Sequence, residues 1–284
     1  MKTILIASLI CITSIAFTQN KSSLLWEISG NGLTQPSYLF GTIHIIPKKQ
    51  FFFTPAMKES FNSCEKLVME IDNSSVTLKQ QIEIGMKALL SDGQTLKGIM
   101  GDSAYTAFIS YAIDSLNIKE KKTRKYNKLK PFYVTGLVLM DYIGKSKGYE
   151  KQLTKYAKRN KMEIDALESI EFQMNLVEKL PLENQAELFL DLSSLREFDQ
   201  LVNIYVKQDL DAMYKMSNES YSDEEAEFFV DAFINDRNAD WIPKIEKFAS
   251  KQATFIAVGA LHLPGEKGVI ELLRSKGYSM KPIL

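Results

Sequence analysis

The chain has 284 residues, 45% hydrophobic and 25% charged, with 35 basic and 35 acidic side chains and a formal charge of zero. This balance excludes disordered, collagen-like and coiled-coil chains and belongs to a globular protein able to bury a sizeable core. With no excess of either sign there is no field to hold a phosphate backbone, so nucleic acid is not an expected partner.

Residues 1–18 (MKTILIASLICITSIAFT) read as a secretory signal peptide. Lys2 is a short positive region, Ile4 to Phe17 are largely apolar, and Ala16 and Thr18 are small residues at −3 and −1 of a cut before Gln19. The apolar run falls short of the about 20 residues that span a bilayer. The expectation is an exported protein, periplasmic or secreted or held at the cell surface, with no transmembrane segment after cleavage. Of two cysteines, Cys11 leaves with the leader, so Cys64 has no intramolecular disulfide partner. Phe61, Cys64 and Leu67 have helix-like spacing, which reads as buried packing. No Pro/Ser-rich linker divides residues 19–284, which read as a single domain.

In chain order, four apolar β-prone runs stand out: Ser37–His44, Leu67–Ile71, Met162–Leu167 and Thr254–His262. Helical patterns fill the intervals over Leu78–Leu90, Ser103–Leu116, Phe132–Gly144 and Gln152–Asn160, the last ending in basic residues as a helix C-terminus favours. Residues 170–220 are helix-compatible with a break near Pro181. Asp223–Ala249 starts with an acidic turn, and Pro243 should kink or restart it. A helix over Gly268–Ser275 then leads to a short strand, Tyr278–Pro282. The expected fold is α/β (α+β), a mixed sheet built from N- and C-terminal strands around a helix-rich middle. The run Lys119–Lys130 holds seven basic residues and one acid, either a solvated loop or a docking surface for an acidic partner or membrane.

Only two histidines occur, His44 and His262, each closing a β-run and each preceded at −3 by glycine, Gly41 and Gly259. Glycine at a strand end admits a ligand or a second backbone, and ligands in open α/β sheets sit beyond the carboxyl ends of strands. Two other runs end on acids: Glu70 and Asp72 lie on one face at period two, and MEIDALE closes on Glu168. Imidazoles with carboxylates suit Mn, Fe, Co or Zn. Two structural histidines, a capping Glu70 or Glu168 and a turn-forming Asp72 satisfy the same pattern. Arg237-Asn238 has no distinguishing context in its helix. No phosphate-binding loop, dinucleotide fingerprint, His-Glu-x-x-His or Gly-x-Ser-x-Gly motif occurs.

Together, GTIH (41–44) and GALH (259–262), LLWEISGNG with SYLFGTIH, LVMEID, KGYEKQLTKYAKRNKMEIDALESIEFQ, a late helix with Arg-Asn, and FIAVGALHLPGEKGVIELLRSKGYSMKPI resemble the TraB/PrgY/GumN family, which includes the Tiki metalloproteases. The resemblance runs from Leu24 to Ile283. It implies a hydrolase dependent on a divalent metal, and in the Tiki branch a peptidase supported by Mn or Co. On that resemblance His44 and His262 take the paired histidine places, Glu70 the acid after the first motif, Glu168 the acid of the Leu-Glu block, and Arg237-Asn238 the Arg-Asn pair. Gly148-Tyr149-Glu150 departs from the Gly-x-Asp common among relatives, keeping the carboxylate on a longer arm.

The resulting expectation is a peptidase that acts on a peptide or protein substrate through a metal-activated water. His44, His262 and Glu70 hold Mn, Co or Zn, Glu168 is the general base, and Arg237 stabilises the oxyanion. Glu70 and Glu168 are interchangeable in these roles, with Gly41, Gly259 and Asn238 in support. The alternative is a non-catalytic envelope protein that binds haem, metal or peptide, since strand-end histidines also serve as axial ligands.

Overall fold

The computed structural model describes residues 22–190, 192–220 and 230–284. The signal-peptide segment and the acidic turn at Asp223 lie outside the described residues.

A six-stranded mixed sheet organises the chain. Its strands are β1 (Leu25–Gly30), β2 (Ser37–Thr42), β4 (Lys66–Met69), β6 (Glu163–Ala166), β7 (Thr254–Gly259) and β8 (Tyr278–Ile283). Their order is β6-β4-β7-β2-β1-β8. The first four run parallel, while β1 is antiparallel to both β2 and β8. The expected fold class is therefore the observed one, with strands from both ends of the chain meeting in one sheet. Central β7 is buried from Thr254 to Val258, as a strand covered on both faces must be, and its sequence is nearly all apolar for that reason. A two-residue pairing joins β3 (Ile46–Pro47) to β5 (Ser146–Lys147).

The main helices are α1 (Pro55–Asn62), α2 (Leu78–Lys87), α3 (Leu96–Met100), α4 (Asp102–Asp114), α5 (Glu120–Thr123), α6 (Pro131–Ile143), α7 (Tyr149–Asn160), α8 (Ile170–Glu178), α9 (Leu182–Phe189), α10 (Leu192–Val206), α11 (Leu210–Ser220), α12 (Asp236–Ala249) and α13 (Val269–Ser275). Thr54, Thr77, Thr95 and Ser169 accept N-terminal backbone N–H bonds of α1, α2, α3 and α8, which sets where those helices begin. The chain around the sheet forms the larger hydrophobic core. A second core, with Leu96, Phe108, Tyr126, Val134 and Val138, lies within the helical middle, and Leu139 and Tyr142 pack against both.

Three local expectations are corrected. Helix α1 ends at Asn62, so Phe61 is helical while buried Cys64 lies in the turn beyond and Leu67 in a strand. Spacing alone could not separate these, because all three side chains face the same core. Helix α12 continues through Pro243 as one element and does not restart. The basic stretch holds α5 and a short 3₁₀ turn, and it is partly neutralised through Lys122–Asp141, Arg124–Glu120 and Lys130–Glu178.

Candidate functional site

Each of the four parallel strands delivers one polar side chain just past its carboxyl end: His44 after β2, Glu70 after β4, Glu168 after β6, and His262 at the end of the 3₁₀ turn that follows β7. The two Gly-x-x-His segments are neighbours, because β2 and β7 pair in parallel with Thr42 opposite Gly259. Backbone pairing also continues past β4 and β6, where the Glu168 N–H donates to the Glu70 carbonyl at 3.0 Å, setting the two acids side by side.

The glycines have a steric reason. A Cβ on Gly41 would stand 3.1 Å from both Ala260 and Leu263, so the first motif needs glycine to let the second pack against it. A Cβ on Gly259 would stand 3.2 Å from Glu70 Oε1, the atom to which the Gly259 N–H donates at 2.6 Å.

Arg237, on the first turn of α12, ties the acids together. Its Nη2 donates to Glu70 Oε2 at 2.6 Å and to Glu168 Oε1 at 2.5 Å, its Nε donates to Glu168 Oε1 at 3.0 Å, and its Nη1 donates to the Phe233 carbonyl at 2.8 Å. Gln173 adds amide donors to Glu70 Oε2 at 3.0 Å and Glu168 Oε1 at 2.6 Å, and Trp241 Nε1 donates to Glu168 Oε2 at 3.1 Å. All the charged members are buried, with relative side-chain exposures of 8%, 9% and 4% for Arg237, Glu70 and Glu168. Such a cluster persists only because each charge is paired and hydrogen-bonded. Burial pushes Glu70 towards protonation, but His262, His44, Arg237 and the Gly259 N–H prevail and hold its pKa at about 2.

The two histidines are oriented differently. His262 is buried, and its Nδ1 lies 2.7 Å from Asn238 Oδ1. Asn238 Nδ2 donates to the Lys267 carbonyl, so its oxygen accepts and the proton resides on His262 Nδ1. The Nε2 lone pair then faces Arg237 Nη1 at 3.3 Å, with Glu70 Oε1 at 3.9 Å. Trp241 packs on the ring at a centroid distance of 4.4 Å. Burial, which outweighs the attraction of Glu70, lowers the His262 pKa to about 4. His44 is open to solvent, and its Nδ1 donates to Glu150 Oε1 at 3.0 Å, an oxygen that also accepts from Thr42 Oγ1 at 2.9 Å. The hydrogen bond to Glu150 and the charge of that carboxylate raise the His44 pKa to about 9.

The motifs that supply these residues extend over nearly the whole described chain, and residues 24–282 match the sequence model of the TraB/PrgY/gumN family. The chain belongs to that family. A curated relative, "Metalloprotease TIKI homolog" of Amphimedon queenslandica, is 23% identical over 326 residues, covering 93% of this chain and 61% of that protein, so the chain spans about three fifths of its length. No solved structure matches.

A cavity of about 560 Å³ opens beside these residues in this TraB/PrgY/gumN member, and His44, Glu70, Glu150, Gln173 and Arg237 line it. Glu168 is not among the lining residues, because its oxygens are turned into the Arg237, Trp241 and Gln173 contacts. Glu70 and Glu168 are equivalent in the sequence pattern, whereas the structure distinguishes them: Glu70 reaches the cavity and Glu168 lies behind Arg237. Asp72 sits apart, accepting from Ser74 in a turn.

Among the described residues no three His, Cys, Asp or Glu side chains are grouped as a ready-made metal site. The donor set nevertheless suits a divalent cation. Each imidazole has its Nδ1 fixed by a side-chain oxygen, the arrangement that orients metal-binding histidines, and an ionised carboxylate lies among them.

Three participants were missed by reading the sequence or left without a role. Glu150 orients His44, and its signal was the Gly148-Tyr149-Glu150 departure. Gln173 and Trp241 carried no signal, being an ordinary helix-face glutamine and an ordinary core aromatic until the fold brought them to Glu168.

Proposed function

We propose that this chain is an exported, divalent-metal-dependent hydrolase acting on peptide bonds. The observation that carries the reading is the pair of Gly-x-x-His imidazoles that end adjacent parallel strands, each held through Nδ1 by a side-chain oxygen, with an ionised glutamate 3.9 Å from His262 Nε2. The leader-like residues 1–18 support export, and the name of the Amphimedon relative supports metal-dependent proteolysis. No helix among the described residues is long and apolar enough to cross a membrane.

His44, His262 and Glu70 would hold the cation, of the Mn, Co or Zn class. Such an ion, when bound, polarises a carbonyl and acidifies water. The chain's own residues then do the following. Arg237, whose N–H groups are all engaged by its neighbours, brings its positive charge to the cavity wall, where negative charge develops on a carbonyl oxygen. Glu168, assigned the general-base role from sequence, instead positions Arg237. Glu150 keeps the His44 ring oriented, and Asn238 does the same for His262. Because His44 is basic, loading the site must displace a proton from it, so occupancy falls as pH drops.

Elemental analysis of purified protein, paired with peptide digestion with and without chelator, tests the reading. The expected result is a bound non-haem divalent ion, lost in both His44→Ala and His262→Ala, and hydrolysis that chelator abolishes. Unchanged metal content in both variants, or a Soret band on addition of haem without any hydrolysis, would overturn it.

A further inference from the structure

The cavity is chemically divided. Its polar lining comes from the sheet end and from α7, α8 and α12, at His44, Glu70, Glu150, Gln173 and Arg237. The remaining wall is largely apolar and comes chiefly from helices: Ile84 of α2, Phe132 of α6, Met174 and Val177 of α8, with Phe233 from the π turn (Asp231–Asn235) that leads into α12; Asn73 and Tyr133 are its polar members. At about 560 Å³ it lies within the range of ligand pockets, and a cavity of about 150 Å³ already accepts a benzene ring. Water confined against such a wall is readily displaced by an apolar group, so that wall selects what is brought to the polar end.

We infer that the helical wall is a binding subsite for a bulky aliphatic or aromatic side chain of the peptide, beside the bond that meets His44 and Glu70. That the peptide is a substrate rests on the hydrolase reading, but the subsite is a property of the wall alone. Groups that react and groups that bind apolar surface share one cavity, so the occupant must carry a polar backbone and an apolar side chain on the same short segment. A peptide has that structure. Helix α2 is suited to shape the subsite: it buries none of its residues and is held to α8 by Gln80–Glu171 and Lys87–Asn175 hydrogen bonds, so Ile84 can be changed without loss of core.

The test uses three capped, fluorescein-labelled decapeptides on a Gly/Ser background with Leu, Phe or Asp at one central position. Binding is read by anisotropy on His44→Ala protein, so that affinity is measured whether or not the chain turns over. The Leu and Phe peptides should bind at least about tenfold more tightly than the Asp peptide, the discrimination expected of an apolar pocket. Ile84→Glu and Phe132→Glu, neither at a buried position, should each abolish that preference while keeping the native circular dichroism spectrum. Digestion by the unsubstituted protein should cut the Leu and Phe peptides preferentially.

Equal affinity for all three peptides overturns the subsite, as does a preference that survives both wall variants. Competition in which dodecanoate displaces the Leu peptide and itself binds more tightly overturns the assignment to a peptide side chain in favour of an acyl chain. A preference that is present and wall-dependent without any cleavage supports the subsite and removes only the hydrolase reading.

Discussion

His44 and His262 end neighbouring parallel strands behind the same Gly-x-x-His spacing, yet their protonation is driven in opposite directions. His44 faces solvent with a carboxylate on Nδ1 and is raised to about 9, whereas His262 is buried with an amide on Nδ1 and is lowered to about 4. The shared spacing sets where each ring stands. The partner and the burial, both supplied by distant parts of the chain, set what the ring can do. At neutral pH the buried ring is neutral, its Nε2 facing Arg237 Nη1, whereas the exposed ring is protonated and yields a lone pair only after losing a proton.

The buried half of that contrast depends most on Arg237. Arg237→Met should destabilise the protein by about 3–5 kcal/mol in urea unfolding, because Glu70 and Glu168 are left as adjacent buried acids without their cation. An effect below about 1 kcal/mol would show that the acids are solvated or share a proton.

The histidines themselves should separate next. His262→Ala should cost about 1–3 kcal/mol, since it removes a buried ring packed on Trp241 and strips Asn238 Oδ1 of its donor. His44→Ala should cost less, at most about 1 kcal/mol, because its pair with Glu150 is exposed to solvent on the ring side, and that loss should vanish as pH rises through about 9. Equal losses would contradict the contrast. Gly259→Ala should cost about 1–3 kcal/mol by pressing a methyl group on the Glu70 carboxylate.

Smaller in energy but sharper in meaning is the titration. With only two histidines in the chain, the metal-free protein should give two NMR imidazole transitions, near pH 9 for His44 and near pH 4 for His262. Glu150→Gln should bring the His44 transition back towards the ordinary value of about 6.5 and leave His262 unmoved. The stability contributions have opposite signs. That of His262, whose folded pKa is depressed, is fully present above the unfolded value and lost as pH falls from about 6.5 to about 4. That of His44, whose folded pKa is raised, is fully present below about 6.5 and lost as pH rises through about 9.

The parts of the molecule legible in advance are those whose cause is local. Four strands that end at the site appear as short apolar runs, and α4 and α6 start one residue from their expected positions, because hydrophobic periodicity is a nearest-neighbour property. Strand β1 was not picked out as a strand. Its residues carry the family resemblance, but LWEISG is short and mixed, and it becomes a strand by pairing with β2 on one side and β8 on the other. The β3–β5 pairing is two residues long and has no signal below the tertiary level.

For the site, residue types and the positions of His44, His262, Glu70 and Glu168 could be read from strand ends, while Arg237 entered by resemblance only. Which acid reaches the cavity could not be read. Glu168 is held by partners 69 and 73 positions away, and His44 by one 106 positions away. A side chain's type and its seat at a strand end follow from the local string of residues and from the rule that parallel strands share a carboxyl edge. Its charge, tautomer and access to ligand depend on desolvation and on partners within about 3 Å, and only the folding of remote segments onto one another sets those distances.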